Sequence, residues 1–178
     1  MDKLKKFVVI GPESTGKSTL CSKLSAHFQT LWAPEYAREY LETHGKEYVF
    51  EDLLRIAQGQ IALEEDFIRR SNPLKGPLFV DTDMYVMKVW CEFVFQRCHS
   101  WILNTIASRS YDGYLLCNVD LPWVPDALRE YPDESIRRLL YRHYKEILVN
   151  QSTPWVEISG GYRQREEKAI EFVHSIWK

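Results

Sequence analysis

Gly11-Pro12-Glu13-Ser14-Thr15-Gly16-Lys17-Ser18 satisfies the pattern G-x-x-x-x-G-K-[ST] at every fixed position. A triphosphate is a dense negative charge, and such a loop meets it with inward backbone N–H groups and the positive end of a helix dipole. Gly11 and Gly16 can take backbone angles that other residues avoid, which lets the main chain approach phosphate oxygens. Lys17 is expected to reach the β- and γ-phosphates as a point charge. Ser18 is expected to place its hydroxyl on Mg²⁺. The chemistry implied is binding of ATP with magnesium by residues 11–18.

Further side chains able to do chemistry stand just after other apolar runs. Asp81 follows Leu78–Val80, where a second magnesium-organising carboxylate is needed. Asp83 can share that task, contact a substrate or cap a helix. Glu35 can accept a proton or a hydrogen bond from a substrate hydroxyl, or serve as an acid favoured by a helix N-terminus. Arg38 can hold a phosphate, or pair with Glu35 or Glu42 along a helix. Residues 120–142 read as a lid, with Pro122, Pro125 and Pro132 in an irregular stretch and Arg129, Arg137, Arg138 and Arg142 around it. Loops that close over triphosphates carry arginines to neutralise charge and exclude water, and Arg129 and Arg137 are the two singled out. The plainer reading is a solvated helix face, since Glu134 and Arg138 stand at i,i+4.

Six Trp, ten Tyr and eight Phe are present. Most belong to a core, but Tyr36, Tyr40, Tyr85, Trp90 and Trp123 flank the segments above. A flat heterocycle would stack there, and a cationic ring would gain a further ~0.5–2 kcal/mol over an aromatic face.

The elements that must position these groups alternate between short apolar runs and helical stretches. Strands are expected at Phe7–Ile10, Thr30–Ala33, Leu78–Val80, Tyr114–Val119 and Trp155–Ile158. Helices are expected at Lys17–Gln29, Glu35–Thr43, Phe50–Arg70, Tyr85–Ala107, Glu134–Val149 and after Gly160-Gly161. Asn72-Pro73 is expected to break the chain. Such alternation predicts an α/β fold, a parallel sheet covered on both faces, with ligands at the strand C-terminal ends.

A chain of 178 residues is long enough for one domain spanning 1–178. Its 23 basic and 25 acidic residues leave a net charge of −2, with no basic segment to suggest a nucleic-acid partner. The four cysteines lack C-x-x-C spacing and read as core thiols of a reducing compartment. Neither a signal peptide nor a membrane span is apparent, so a cytoplasmic protein without a membrane partner is expected.

Gly11-Pro12-Glu13-Ser14-Thr15-Gly16-Lys17-Ser18-Thr19, Glu35-Tyr36-Ala37-Arg38-Glu39-Tyr40, Ile56-Ala57-Gln58-Gly59-Gln60 and Asp81-Thr82-Asp83, in that order, resemble the kinase domain of the bifunctional NAD-salvage regulators, a ribosylnicotinamide kinase. The resemblance covers essentially the whole chain. It implies a P-loop NTPase fold, a three-layer sandwich similar to nucleoside and nucleotide kinases, with five parallel strands in the order 2-3-1-4-5. It implies phosphoryl transfer from ATP to the 5′-hydroxyl of nicotinamide riboside, and with the lid reading above Lys17, Glu35, Asp81, Arg129 and Arg137 are expected in the chemistry. Residues 11–19 would hold the nucleotide and Ser18 and Asp81 the magnesium. Glu35, Tyr36, Arg38, Gln60, Asp83 and Trp90 would surround the acceptor. None of the five histidines falls in the H-x-G-H motif of the family's adenylyltransferase, and there is no room for its N-terminal helix-turn-helix. This chain is therefore expected neither to make NAD itself nor to repress transcription alone. The alternatives are a kinase for another nucleoside, nucleotide or coenzyme precursor, and a regulatory nucleotide-binding ATPase. The oligomeric state is left open.

Overall fold

The computed structural model describes residues 4–71 and 75–177. Five strands form one parallel sheet: β1 (Lys6–Ile10), β2 (Trp32–Ala33), β3 (Leu78–Asp81), β4 (Gly113–Cys117) and β5 (Trp155–Ile158), in the order β2-β3-β1-β4-β5. The helices are α1 (Lys17–His27), α2 (Tyr36–His44), α3 (Phe50–Ser71), α4 (Met84–Phe95), α5 (Ser100–Ser108), α6 (Glu134–Val149) and α7 (Tyr162–Ile176). This is the P-loop α/β sandwich that the resemblance implies, with its strand order.

Phe7, Val8, Val9 and Ile10 are all fully buried, because helices cover both faces of the sheet. Phe7 and Val9 pack with α1 and α7 around Leu24, Phe28 and Val173. Val8 and Ile10 pack toward α4 and α6 around Val89, Leu140, Tyr144 and Leu148. A third cluster joins α2, α3, α4 and α5 through Leu41, Leu53, Ile56, Met87 and Ile102. The register places Val9 opposite Asp81, so β3 ends beside the loop that leaves β1.

Several expected boundaries move. The helix expected over Tyr85–Ala107 is two helices, broken at residues 96–99. Gln96 turns left-handed at φ +55°, although no Gly or Pro marks the place. The break is held by tertiary contacts: His99 stacks on Phe50 at 3.7 Å and bonds its carbonyl through Nε2 at 2.8 Å, and Arg97 covers the same ring. The strand expected from Thr30 shrinks to Trp32–Ala33, and β4 stops at Cys117, two residues before Val119. The Asn72-Pro73 break lies outside the described residues. Among the described residues no helix is long and apolar enough to cross a membrane.

Candidate active site

The loop of residues 11–18 joins β1 to α1. Gly11 has φ +148°, and a Cβ there would stand 2.7 Å from the Cys117 carbonyl oxygen of the neighbouring strand, so only glycine fits. Gly16 and Ser14 are also left-handed, at φ +79° and +56°. Thr15 is buried inside the loop and its hydroxyl donates to the Pro12 carbonyl at 2.7 Å. Lys17 Nζ donates to the same carbonyl at 2.9 Å, which lays the ammonium across the loop.

Asp81 faces this loop. The Ser18 hydroxyl donates to its Oδ2 at 2.5 Å, while Oδ1 is buried with no hydrogen-bond partner. Burial pushes the Asp81 carboxyl up to about 7; the Glu35 carboxylate adds to the rise and Lys17 opposes it. An orphaned oxygen on a buried carboxylate beside a hydroxyl fits a hard divalent cation that takes its remaining ligands from water and phosphate. Among the described residues no cluster of three or more His, Cys, Asp or Glu side chains offers a self-sufficient metal cage.

The two aspartates of Asp81-Thr82-Asp83 part company at Thr82, whose φ of +69° is rare for a β-branched residue. Asp83 faces elsewhere: Oδ1 caps α4 by accepting the Tyr85 N–H at 3.0 Å, and Oδ2 accepts the Tyr114 hydroxyl at 2.8 Å. Of the roles open to it in the sequence, it takes the helix cap. With Tyr85 and Arg109 it lines a second cavity, separate from the loop.

A cavity of about 230 Å³ opens over the loop. Residues 11–19 form one wall. Glu35, Ala37, Arg38 and Leu41 form another, and Val86, Trp90 and Phe93 of α4 face Leu140 and Tyr144 of α6. Leu128, Arg129, Glu130 and Tyr131 cover it. Glu35 stands at the N-cap of α2, yet its carboxylate makes no cap bond. Arg38 meets both Asp126 oxygens at 3.3 and 3.2 Å and lies 3.7 Å from Glu42, so it pairs with these two carboxylates and not with Glu35. The Trp90 indole N–H donates to the Tyr48 hydroxyl at 2.9 Å, which in turn donates to Glu130 at 3.0 Å.

Residues 118–133 are docked on the loop. The N–H groups of Glu130 and Tyr131 donate to the Glu13 carboxylate at 3.0 and 2.6 Å, the Trp123 indole reaches it at 3.4 Å, and the Val124 N–H donates to the Ser14 hydroxyl at 2.9 Å. Arg129 lines the cavity and donates to the Val124 carbonyl. Arg137 is only 4% exposed, and its Nε and Nη1 are buried without hydrogen-bond partners.

Some expected site residues stand off the cavity wall. Tyr36 and Gln60 pack against each other's segments behind Glu35. Tyr40 donates its hydroxyl to Asp52 and stacks on His44. One residue of consequence carries no sequence signal. Arg165, 3% exposed, donates to the carbonyls of Gly160, Thr15 and Asn118 at 2.7, 3.1 and 3.0 Å and pairs with Asp120. It ties the loop backbone to the ends of β4 and β5. In the sequence it is one charge in the run Arg163-Gln164-Arg165-Glu166-Glu167.

The chain is 28% identical over 175 residues to the trifunctional NAD biosynthesis/regulator protein NadR of Salmonella typhimurium, covering 96% of this chain and 42% of that protein. The NadR of Escherichia coli matches at 28% over 178 residues, 97% of this chain and 43% of that one. The chain thus spans less than half the length of these curated relatives. Among solved structures, a NadR protein in complex with NR superposes with a TM-score of 0.80 at 26% identity, over 97% of this chain and 50% of that one. Over residues 6–165, from β1 through the phosphate loop to the arginine that anchors it, the sequence fits the model of the AAA domain family, and the chain belongs to that family.

Proposed function

We propose that this protein is an ATP- and magnesium-dependent kinase that phosphorylates the 5′-hydroxyl of nicotinamide riboside. The observation that carries the reading is one cavity lined both by the phosphate loop and by Glu35, whose carboxylate makes no cap bond, together with Trp90, Phe93 and Tyr144. Relatives named for NAD biosynthesis, and a related NadR solved holding NR, which we read as nicotinamide riboside, support that acceptor. A second NadR structure, solved with NAD and AMP-PNP and matching at a TM-score of 0.77 and 27% identity, supports an adenine nucleotide on the loop.

In this reading Lys17 and the loop amides hold the β- and γ-phosphates, and Ser18 and Asp81 hold the metal. Bound magnesium supplies charge neutralisation on the phosphate oxygens. Glu35 accepts the hydroxyl proton as the acceptor oxygen bonds to the γ-phosphorus, and ADP leaves. Residues 120–142 act as the lid, bringing Arg129 and Arg137 to the transferring group and excluding water. Trp90, Phe93 and Tyr144 supply flat and apolar surface for the base, where a pyridinium gains cation–π attraction. Arg38 already has carboxylate partners, which favours an unphosphorylated nucleoside over a nucleotide acceptor.

Coupled measurement of ADP release against a panel of nucleosides tests this. Strong stimulation by nicotinamide riboside is expected, and Glu35→Gln is expected to lower turnover more than it weakens ATP binding. Stimulation by another nucleoside and none by nicotinamide riboside would overturn the acceptor. ATP turnover that needs a protein partner would overturn the kinase reading itself.

A further inference from the structure

We propose that Gln60 is the positioning residue for Glu35 and that Gly59 completes its seat; the inference rests on the reading of Glu35 as the group that meets the acceptor hydroxyl. Gln60 lies on α3 and is 2% exposed. Its Oε1 accepts the Tyr36 N–H at 2.7 Å and its Nε2 donates to the Pro34 carbonyl at 3.3 Å. These two backbone groups bracket Glu35. An N–H donor on one side and a carbonyl on the other also fix which way the amide must face.

The arrangement fixes the backbone on both sides of Glu35. The first N–H groups of a helix lack partners, and an N-cap side chain reaches only the second or third of them, which leaves the first to another acceptor. Here the Tyr36 N–H, the first of α2, is satisfied by Gln60 from outside. The Glu35 carboxylate makes no cap bond and lies on the cavity wall. Gly59 holds the other side of the seat. A Cβ there would stand 2.0 to 2.5 Å from three ring carbons of Tyr36, so the ring rests directly on the α3 backbone. A glycine inside a helix costs about 1 kcal/mol relative to alanine, and this close approach is what the position requires. Tyr36 is thereby pinned by its amide and its ring, and Pro34 by its carbonyl, leaving Glu35 one backbone setting.

The test uses the full chain. In Gln60→Leu, exchange of the Tyr36 amide with solvent deuterium should accelerate about tenfold or more. Turnover should fall about tenfold while KM for ATP stays within about twofold, the mark of a misplaced reacting group. In a Glu35→Gln background the same change should cost no further turnover. Gln60→Glu, which keeps an acceptor for the Tyr36 N–H, should retain more activity than Gln60→Leu. Should Gln60→Leu fail to fold, Gly59→Ala serves, since it removes no hydrogen bond and favours the helix, yet must displace the Tyr36 ring. Unchanged amide exchange overturns the proposal, as does a turnover loss that adds in full to that of Glu35→Gln. If the wild type phosphorylates no nucleoside, the acceptor reading fails, and amide exchange alone decides whether the seat exists.

Discussion

Glu13 accepts the Tyr131 N–H at 2.6 Å, a bond between residues 118 apart that fastens residues 118–133 to the phosphate loop. The same carboxylate takes the Glu130 N–H at 3.0 Å. A loop built to attract anions thus spends one of its variable positions on a side chain that faces outward and holds its cover. Glu13→Ala should free that cover. The expected outcome is a fall of about tenfold in kcat/KM for the acceptor and a change in Trp123 fluorescence on nucleotide addition. Steady-state kinetics with unchanged kcat/KM would show that the cover closes without this bond.

Asp81 sets activity against stability. It is fully buried, and burial, helped by the Glu35 charge, raises its carboxyl to about 7; burial raises Asp83 to about 7 as well. Unfolded carboxylates titrate near 3.9, so between about pH 4 and 7 the native state holds protons that the unfolded chain has released. The stability this contributes is full below about pH 4 and lost as pH rises through about 7. Without nucleotide or divalent cation, the thermal midpoint should therefore fall between pH 5 and pH 8. Asp81→Asn should blunt that fall and raise the midpoint at pH 8 by about 2–4 °C or more. Phosphoryl transfer should drop about 10²-fold or more. Scanning fluorimetry at the two pH values, beside the rate assay, checks both halves. A lower midpoint at pH 8 would contradict the electrostatic account, and a wild-type rate would remove Asp81 from the chemistry.

Arg165 holds the loop from below. Arg165→Leu would leave the carbonyls of Thr15, Gly160 and Asn118 without this donor and Asp120 without its ion pair. Removing one member of such a buried set costs about 3–5 kcal/mol. That corresponds to a thermal midpoint lower by on the order of 10 °C, with weaker nucleotide binding by titration. Arg165→Lys should recover little, because a single ammonium cannot reproduce the planar fork. A variant of wild-type stability would show that the hub is dispensable.

Arg137 makes the opposite prediction. Its guanidinium is buried with two nitrogens unpartnered and is not among the groups that line the cavity, an arrangement that costs stability until an anionic group reaches it. Arg137→Met should leave the thermal midpoint unchanged or higher while turnover falls about 10²-fold or more. A lower midpoint with full turnover would make it a packing residue instead.

The phosphate loop, the alternation of strands and helices and the carboxylates at the strand ends are legible in the sequence. Each depends on short spacings: four fixed positions within eight residues, apolar runs of three to six, an acid directly after a strand. The resemblance carried by the ordered motifs added the strand order. Beyond that range tertiary packing decides. Asp81 and Asp83 are chemically alike and two residues apart, and only the left-handed turn at Thr82 sends one to the loop and the other to cap α4. The break after Phe95 needs Phe50, His99 and Arg97 brought together from α3 and the α4–α5 junction. Nothing in the sequence shows that Gln60 on α3 bonds the backbone on both sides of Glu35. Arg165 looks like any solvated charge until α7 returns it to Thr15, 150 residues earlier in the chain. Local sequence could name the groups able to do chemistry, because residue type and spacing set what a loop can bind. Which direction each group faces was settled only by burial, where a polar atom out of water must find its partner wherever the fold supplies one.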